Sequence, residues 1–188
     1  NLTLYQAFRN AAVKTPNNTA IYYFSTKITF ERLSSLIDRW AAILQHDLDV
    51  QKGDSVIISL PNIPQTIILF YAVNKIGAIA NMVHPHTPKE KMQEYYSEAN
   101  SKVAFLYDKK GYRELKDYKT FNGNIVICDV QTFFKSKLVK KMVDIANRGI
   151  HNTLSTNTKF TFYRKYKSNK ELAIENPIFD NETSVLLH

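Results

Sequence analysis

The sequence predicts a layered α/β domain in which a mostly parallel β-sheet lies between helices. Three observations predict it. From Ser55 to Cys128, apolar runs of strand length alternate with stretches of helical periodicity, the pattern that produces right-handed crossovers and a parallel sheet. The apolar runs are nearly continuous, as strands covered on both faces require. Finally, 188 residues with 44% hydrophobic and 12% aromatic side chains and only five Gly and six Pro suffice for a substantial core and exclude collagen-like, low-complexity and disordered classes.

The elements follow in chain order. Leu4, Tyr5, Phe8, Ala11 and Ala12 recur at helical spacing between Thr3 and Lys14, and Pro16 is the stop. Ala20 to Phe24 and Ile28 to Phe30 are β-branched or aromatic runs around Ser25-Thr26-Lys27, a small hairpin. Leu33, Leu36, Ile37, Trp40, Ala41, Ile43 and Leu44 form the apolar stripe of a long helix. After the Gly53-Asp54 turn, Val56 to Leu60 is a buried strand closed by Pro61-Asn62. Asn62 or Ile63 caps a helix with Pro64 in its first turn, running to Lys75, and Gly77 suits a left-handed stop. Ala78 to Val83 is the next strand. Thr87-Pro88-Lys89-Glu90 combines a capping box with proline at the first helical position, so a helix starts there and ends near Asn100. Val103 to Tyr107 and Asn124 to Cys128 are two further strands, separated by a charged helical stretch, Lys109 to Lys119. The closing residues, Glu175 to His188, read as a polar approach to a buried strand that breaks off in mid-element, the expectation for a piece of a larger protein.

The net charge of +8 is local. Residues 131–170 hold ten Lys or Arg and one acid, Asp144, a net +9, so the remainder nets −1. This segment also carries Phe133, Phe134, Phe160, Phe162, Tyr163 and Tyr166. A basic, aromatic stretch suits RNA, an anionic membrane surface or a phosphorylated cofactor, and its plain reading is a solvated loop. The organisation expected is therefore an α/β unit over residues 1–130, a basic aromatic insertion or loop region over 131–170, and an approach strand over 171–188. One cysteine, Cys128, excludes an internal disulfide and a cysteine-based zinc site, which fits a reducing, cytoplasmic compartment. The longest apolar run, Ile67 to Val73, is far shorter than the roughly 20 residues of a membrane-spanning helix, and the N-terminus has no secretory pattern.

Ligands of such sheets lie beyond the carboxyl ends of the strands, which points to Pro61-Asn62, His84-Pro85-His86 and Tyr107-Asp108 as rim positions. His84, His86 and the terminal His188 are the candidate ligand-edge residues. No catalytic residue and no metal ligand is assigned. The two histidines around Pro85 have no accompanying carboxylate pattern, the serines lack a nucleophile context, and Cys128 inside an apolar run is a small core side chain. Neither the Walker pattern nor the dinucleotide fingerprint occurs.

The order of segments resembles the N-terminal portion of the adenylate-forming enzymes, which include acyl-CoA synthetases, luciferases and peptide-synthetase adenylation domains. Ile28-Thr29-Phe30-Glu31-Arg32-Leu33 is similar to the family's first core motif. Lys52-Gly53-Asp54-Ser55-Val56 with Leu60-Pro61-Asn62 resembles its Lys-Gly-Asp-x-Val strand and Pro-Asn turn. Asn74-Lys75-Ile76-Gly77-Ala78 through His84-Pro85 resembles the second core motif, with Ile76 where the family usually has Ala. The resemblance runs from Leu4 to about Asp108 and returns at Asn181 to His188. His84-Pro85-His86-Thr87-Pro88-Lys89-Glu90 departs from the Asn-Pro of acyl-CoA ligases at its first position and agrees afterwards, which implies a fatty or other carboxylic acid:CoA ligase. That resemblance implies ATP, Mg2+ and CoA for the parent enzyme, with the phosphate loop, the adenine and magnesium motifs and the catalytic lysine beyond His188. It also implies that the isolated chain forms no acyl-adenylate. A peripheral membrane contact through residues 131–170, carried by Lys159, Arg164, Lys165 and Lys167, is the accompanying expectation. The alternatives are a self-contained α/β binding module that uses the basic segment on anionic partners and, ranked last, a nucleic-acid binder.

Overall fold

The computed structural model describes residues 2–113, 121–156, 158–167, 173–176 and 182–188. Helix α1 (Leu4–Lys14) starts from a reciprocal cap in which Thr3 Oγ1 accepts from Gln6 N and the Gln6 side chain accepts from Thr3 N. A hairpin of β1 (Thr19–Tyr23) and β2 (Thr26–Thr29) follows. Phe24 and Ser25 lie outside the strands because they form its turn, at φ 41° and 62°, the left-handed pair that matches strand twist. Thr29 caps α2 (Phe30–Ala42) by accepting from Arg32 N, so Phe30 belongs to the helix rather than to the hairpin. The chain continues through a π turn, Ile43–Asp47.

A six-stranded, all-parallel sheet is then built from β3 (Ser55–Ser59), β4 (Ile79–Met82), β5 (Val103–Tyr107), β6 (Asn124–Cys128), β7 (Phe160–Phe162) and β8 (Val185–Leu187), in the order β7-β6-β5-β3-β4-β8. Helix α3 (Pro64–Lys75) joins β3 to β4, and α4 (Lys89–Glu98) joins β4 to β5. Beyond β5 come α5 (Asp108–Arg113), α6 (Lys137–Ala146) and α7 (Arg148–Ser155). The expected mixed α/β layering with a mostly parallel sheet is what the chain forms.

Each strand serves two cores because successive side chains point to opposite faces. Val56, Ile58, Val103, Phe105 and Val126 pack against α1, α2 and α3, whereas Ile57, Ala104, Leu106, Ile125 and Ile127 pack against Met92 of α4 and Leu154 of α7. The first core centres on Trp40, whose ring stacks on Tyr163 at 4.1 Å and meets Phe105 edge-on at 5.6 Å. Ile63 is the N-cap of α3 with Pro64 at the first turn, and Gly77 takes the left-handed conformation at φ 75°, both as the sequence predicts.

Four expectations change. The described residues of 131–170 are not a solvated loop: they contribute α6, α7 and the edge strand β7, because Phe160 and Phe162 bury against the second core. At α4 the N-cap is Pro88, at ψ 149°, without a side-chain cap hydrogen bond. The proline's extended backbone starts the helix one residue later than a Thr87 capping box requires. The closing strand is not buried, since β8 lies at the sheet edge and Leu187 is 80% exposed. The charged stretch 109–119 is helical to Arg113, and residues 114–120 fall outside the described residues, as do residues 177–181 of the approach segment.

Candidate functional site

Helices α3 and α4 pack on opposite faces of the sheet, so the loops leaving the adjacent strands β3 and β4 diverge. Divergence of this kind opens a crevice at the carboxyl edge of a parallel sheet. Here the crevice is a groove of about 470 Å³, lined by Leu60, Pro61, Asn62 and Thr66 from the β3 side, Met82 to His86 from the β4 side, and Leu187 and His188 from β8. The structure thus brings His84, His86 and His188 together, and Pro61-Asn62 with them.

Local chemistry fixes each wall. The Pro61 carbonyl accepts from Ile63 N (2.7 Å) and Thr66 Oγ1 (2.7 Å), which locks the turn at the start of α3, whose N-cap Ile63 makes no side-chain cap bond. Val83 N donates to Ile58 O at 3.1 Å, extending the β3–β4 ladder by one residue, and Thr87 N donates to His84 O at 2.9 Å to close the following turn. Within that turn His86 N donates to His84 Nδ1 at 3.2 Å. That bond occupies Nδ1 and leaves Nε2 as the ring nitrogen available to a ligand. The His84 and His86 rings sit 5.5 Å apart. His188 N donates to Met82 O at 3.2 Å, which holds the residue in register with β4 while its ring lies 3.9 Å from the ring of Tyr95.

Among the described residues the lining contains no Lys, Arg, Asp or Glu. Its polar equipment is three imidazoles, an amide, a hydroxyl and the positive end of α3, which can hydrogen-bond or stack on a neutral or weakly anionic group. A triphosphate calls for fixed cations and Mg2+ for carboxylate oxygens. Among the described residues no group of three or more His, Cys, Asp or Glu could hold a metal ion. Mg2+ and the ATP phosphates therefore do not fit the described residues of this groove.

The third rim expectation, Tyr107-Asp108, lies elsewhere. Asp108 is buried and bonded to His151 Nε2 at 3.1 Å and to its neighbour Lys109 N at 2.8 Å. Nearby, buried Asp129 accepts from Thr132 Oγ1, and its carbonyl accepts from Gln65 Nε2 at 2.8 Å. Arg164 spans Asp129 and Asp144 at 3.6 and 3.2 Å. Burial raises the Asp144 pKa, but hydrogen bonds from Gln131 and Arg164 outweigh it and bring the group below its usual value. These polar groups bond one another, and only the side-chain oxygens of Gln65 and Gln131 among them are buried without a partner. Cys128 is fully buried, and desolvation raises its thiol pKa well above the usual value, which makes it a poor nucleophile. Sequence reading misses Thr66, which lines the groove, and Tyr95, which packs on His188. Thr66 follows Pro64 within the first turn of a helix, a usable signal, whereas Tyr95 reaches His188 only through tertiary packing.

A model of the AMP-binding enzyme family matches residues 8–176. Acetyl-coenzyme A synthetase 1 of Candida glabrata is 30% identical over 112 residues, 56% of this chain and 16% of that protein. The long-chain-fatty-acid–CoA ligase of Bacillus subtilis is 32% identical over 108 residues, 57% of this chain and 19% of that protein. The chain thus spans less than a fifth of the length of these two relatives. The crystal structure of coronafacic acid ligase from Pectobacterium brasiliense superposes on all of this chain and 33% of its own at a TM-score of 0.75 with 18% identity. The shared architecture is that of the N-terminal subdomain of adenylate-forming enzymes. With the family model covering nine-tenths of it, the chain belongs to the AMP-binding enzyme family.

Proposed function

We propose that this chain is the N-terminal part of an ATP-dependent carboxylic acid:CoA ligase whose acid is a fatty acid. The observation that carries the reading is the histidine-lined groove at the carboxyl ends of β3, β4 and β8, without a cation among its described residues, in a chain of this family. The reaction has two halves: a carboxylate attacks the α-phosphate of ATP, releasing pyrophosphate, and the CoA thiol then displaces AMP from the acyl-adenylate. In this reading His84, His86 and His188 bind and orient a substrate edge, Tyr95 supports His188, and the apolar lining excludes water. The cations that offset developing phosphate charge come from the remainder of the protein, and Mg2+ supplies part of that charge when bound. The isolated chain accordingly forms no acyl-adenylate. Cytoplasmic localisation belongs to the same proposal, supported by the single buried thiol.

The test is carboxylate-dependent ATP–pyrophosphate exchange and acyl-CoA formation by the full-length protein, with acetate and with medium- and long-chain fatty acids. Exchange driven by fatty acids supports the proposal. Turnover of acetate alone removes the fatty-acid assignment, and no exchange with any carboxylate overturns the ligase reading. His84→Ala and His188→Ala are expected to weaken substrate use roughly tenfold each, as loss of one hydrogen bond to a polar substrate group does.

A further inference from the structure

Helix α6 contradicts the rule that an amphipathic helix buries its apolar face. Leu138, Met142 and Ile145, at i, i+4 and i+7, share one face and are 69%, 61% and 53% exposed; α6 has no buried residue at all. The side turned to the protein is instead the polar one: Asp144 is tied to Gln131 and Arg164. Lys137 and Lys141 form a second exposed row beside the apolar stripe.

The stripe continues onto the hairpin turn. Phe24 is 69% exposed, its ring is 4.8 Å from that of Phe134, and both line a cavity of about 490 Å³ with Val139 of α6, Lys135 and Ser136. Tyr22, also exposed, adjoins through Lys27 and Lys135. Lys27, Lys135, Lys137 and Lys141 make no ion pair among the described residues. By contrast, three of the four cations singled out from sequence serve the fold: Lys159 Nζ donates to Phe121 O at 2.9 Å, Arg164 bridges two aspartates, and Lys165 lies over the Phe162 ring at 5.6 Å.

We propose that the outer face of α6, with the β1–β2 turn beside it, docks this protein onto an anionic lipid surface. An exposed apolar stripe flanked by lysines is the arrangement by which interfacial helices bind: aliphatic and aromatic side chains enter the acyl boundary while ammonium groups stay among anionic headgroups. The charge selects this occupant over a second copy of the chain, which would bring like lysine rows together. This surface shares no residue with the groove, so its docking role is independent of which acid the ligase takes.

The test is co-sedimentation of the full-length protein with phosphatidylcholine vesicles with and without phosphatidylserine. Expected is binding only to the anionic vesicles, weakened by salt, reduced roughly fivefold per residue in Lys137→Gln/Lys141→Gln and at least about tenfold in Leu138→Gln/Met142→Gln. No binding by the unaltered protein, equal binding to both vesicle types, or unchanged binding by both variants overturns the proposal. So does a dimer that Leu138→Gln/Met142→Gln converts to monomer, which assigns the face to a second copy. Should the apolar variant lose its fold, the lysine variant, altered only at exposed positions, decides alone.

Discussion

Replacing Gly77 by Ala separates two costs that glycines usually combine. Gly77 and Gly53 both have positive φ, 75° and 84°, so alanine at either carries a backbone penalty of about 1 kcal/mol. Their surroundings differ. A Cβ on Gly53 meets nothing within 4 Å, whereas one on Gly77 lies 2.7 Å from the Asn176 carbonyl oxygen and 2.9 Å from Lys52 Cγ. Lys52 is a flexible side chain and can give way; the Asn176 oxygen is backbone, and Asn176 N donates to Lys75 O at 3.0 Å. Relieving that overlap displaces the segment preceding β8, a strain of about 1–3 kcal/mol. Gly53→Ala is therefore expected to lower unfolding stability by about 1 kcal/mol and Gly77→Ala by about 2–4 kcal/mol, measured by urea unfolding. Amide hydrogen exchange provides the local readout, with protection at Asn176 lost in Gly77→Ala and kept in Gly53→Ala. Equal destabilisation within about 0.5 kcal/mol, with Asn176 still protected, refutes the contact argument. The consequence reaches the groove, because His188 is held there by the strand that this segment feeds.

Two further outcomes are expected. Asp108→Ala strands His151 in a buried site and should cost about 2–4 kcal/mol; a double-mutant cycle with His151→Ala should give a coupling above about 1 kcal/mol, and additivity within about 0.5 kcal/mol sinks it. At Lys75, burial works to lower the pKa, but the bond to Asp38 at 2.7 Å and the Tyr5 hydroxyl outweigh it and set the value above normal. A base whose pKa is raised on folding contributes stability that is complete below its unfolded value, about 10.4, and lost as pH rises through the folded value. Stability of the unaltered protein should thus fall more steeply above about pH 10 than that of Asp38→Asn, and parallel pH profiles in urea unfolding refute the assignment.

The sequence by itself determined the four strands β3 to β6 and their burial, because a parallel sheet writes a local signal: Val103 to Tyr107 and Asn124 to Cys128 are bounded in the structure as they read in the chain. Gly77, Pro64 and Pro61 were legible for the same reason, each being set by the backbone preference of one residue type. The groove's position was legible through the rule that ligands sit at strand carboxyl ends, and two of the expected rim positions, with His188, do line it. What the sequence could not decide were matters of distant partners. Asp108 stands at a strand end like His84, yet His151, 43 residues later, closes over it, and no local pattern encodes that meeting. Residues 131–170 read as basic loop because composition averages over a helix, whereas in three dimensions Phe160 and Phe162 enter the second core and α6 turns its apolar side outward. Which face of a helix meets water is settled by what packs on the other face. Only the tertiary structure supplied that, and with it the separation of the basic segment into cations that hold the fold and cations left facing solvent.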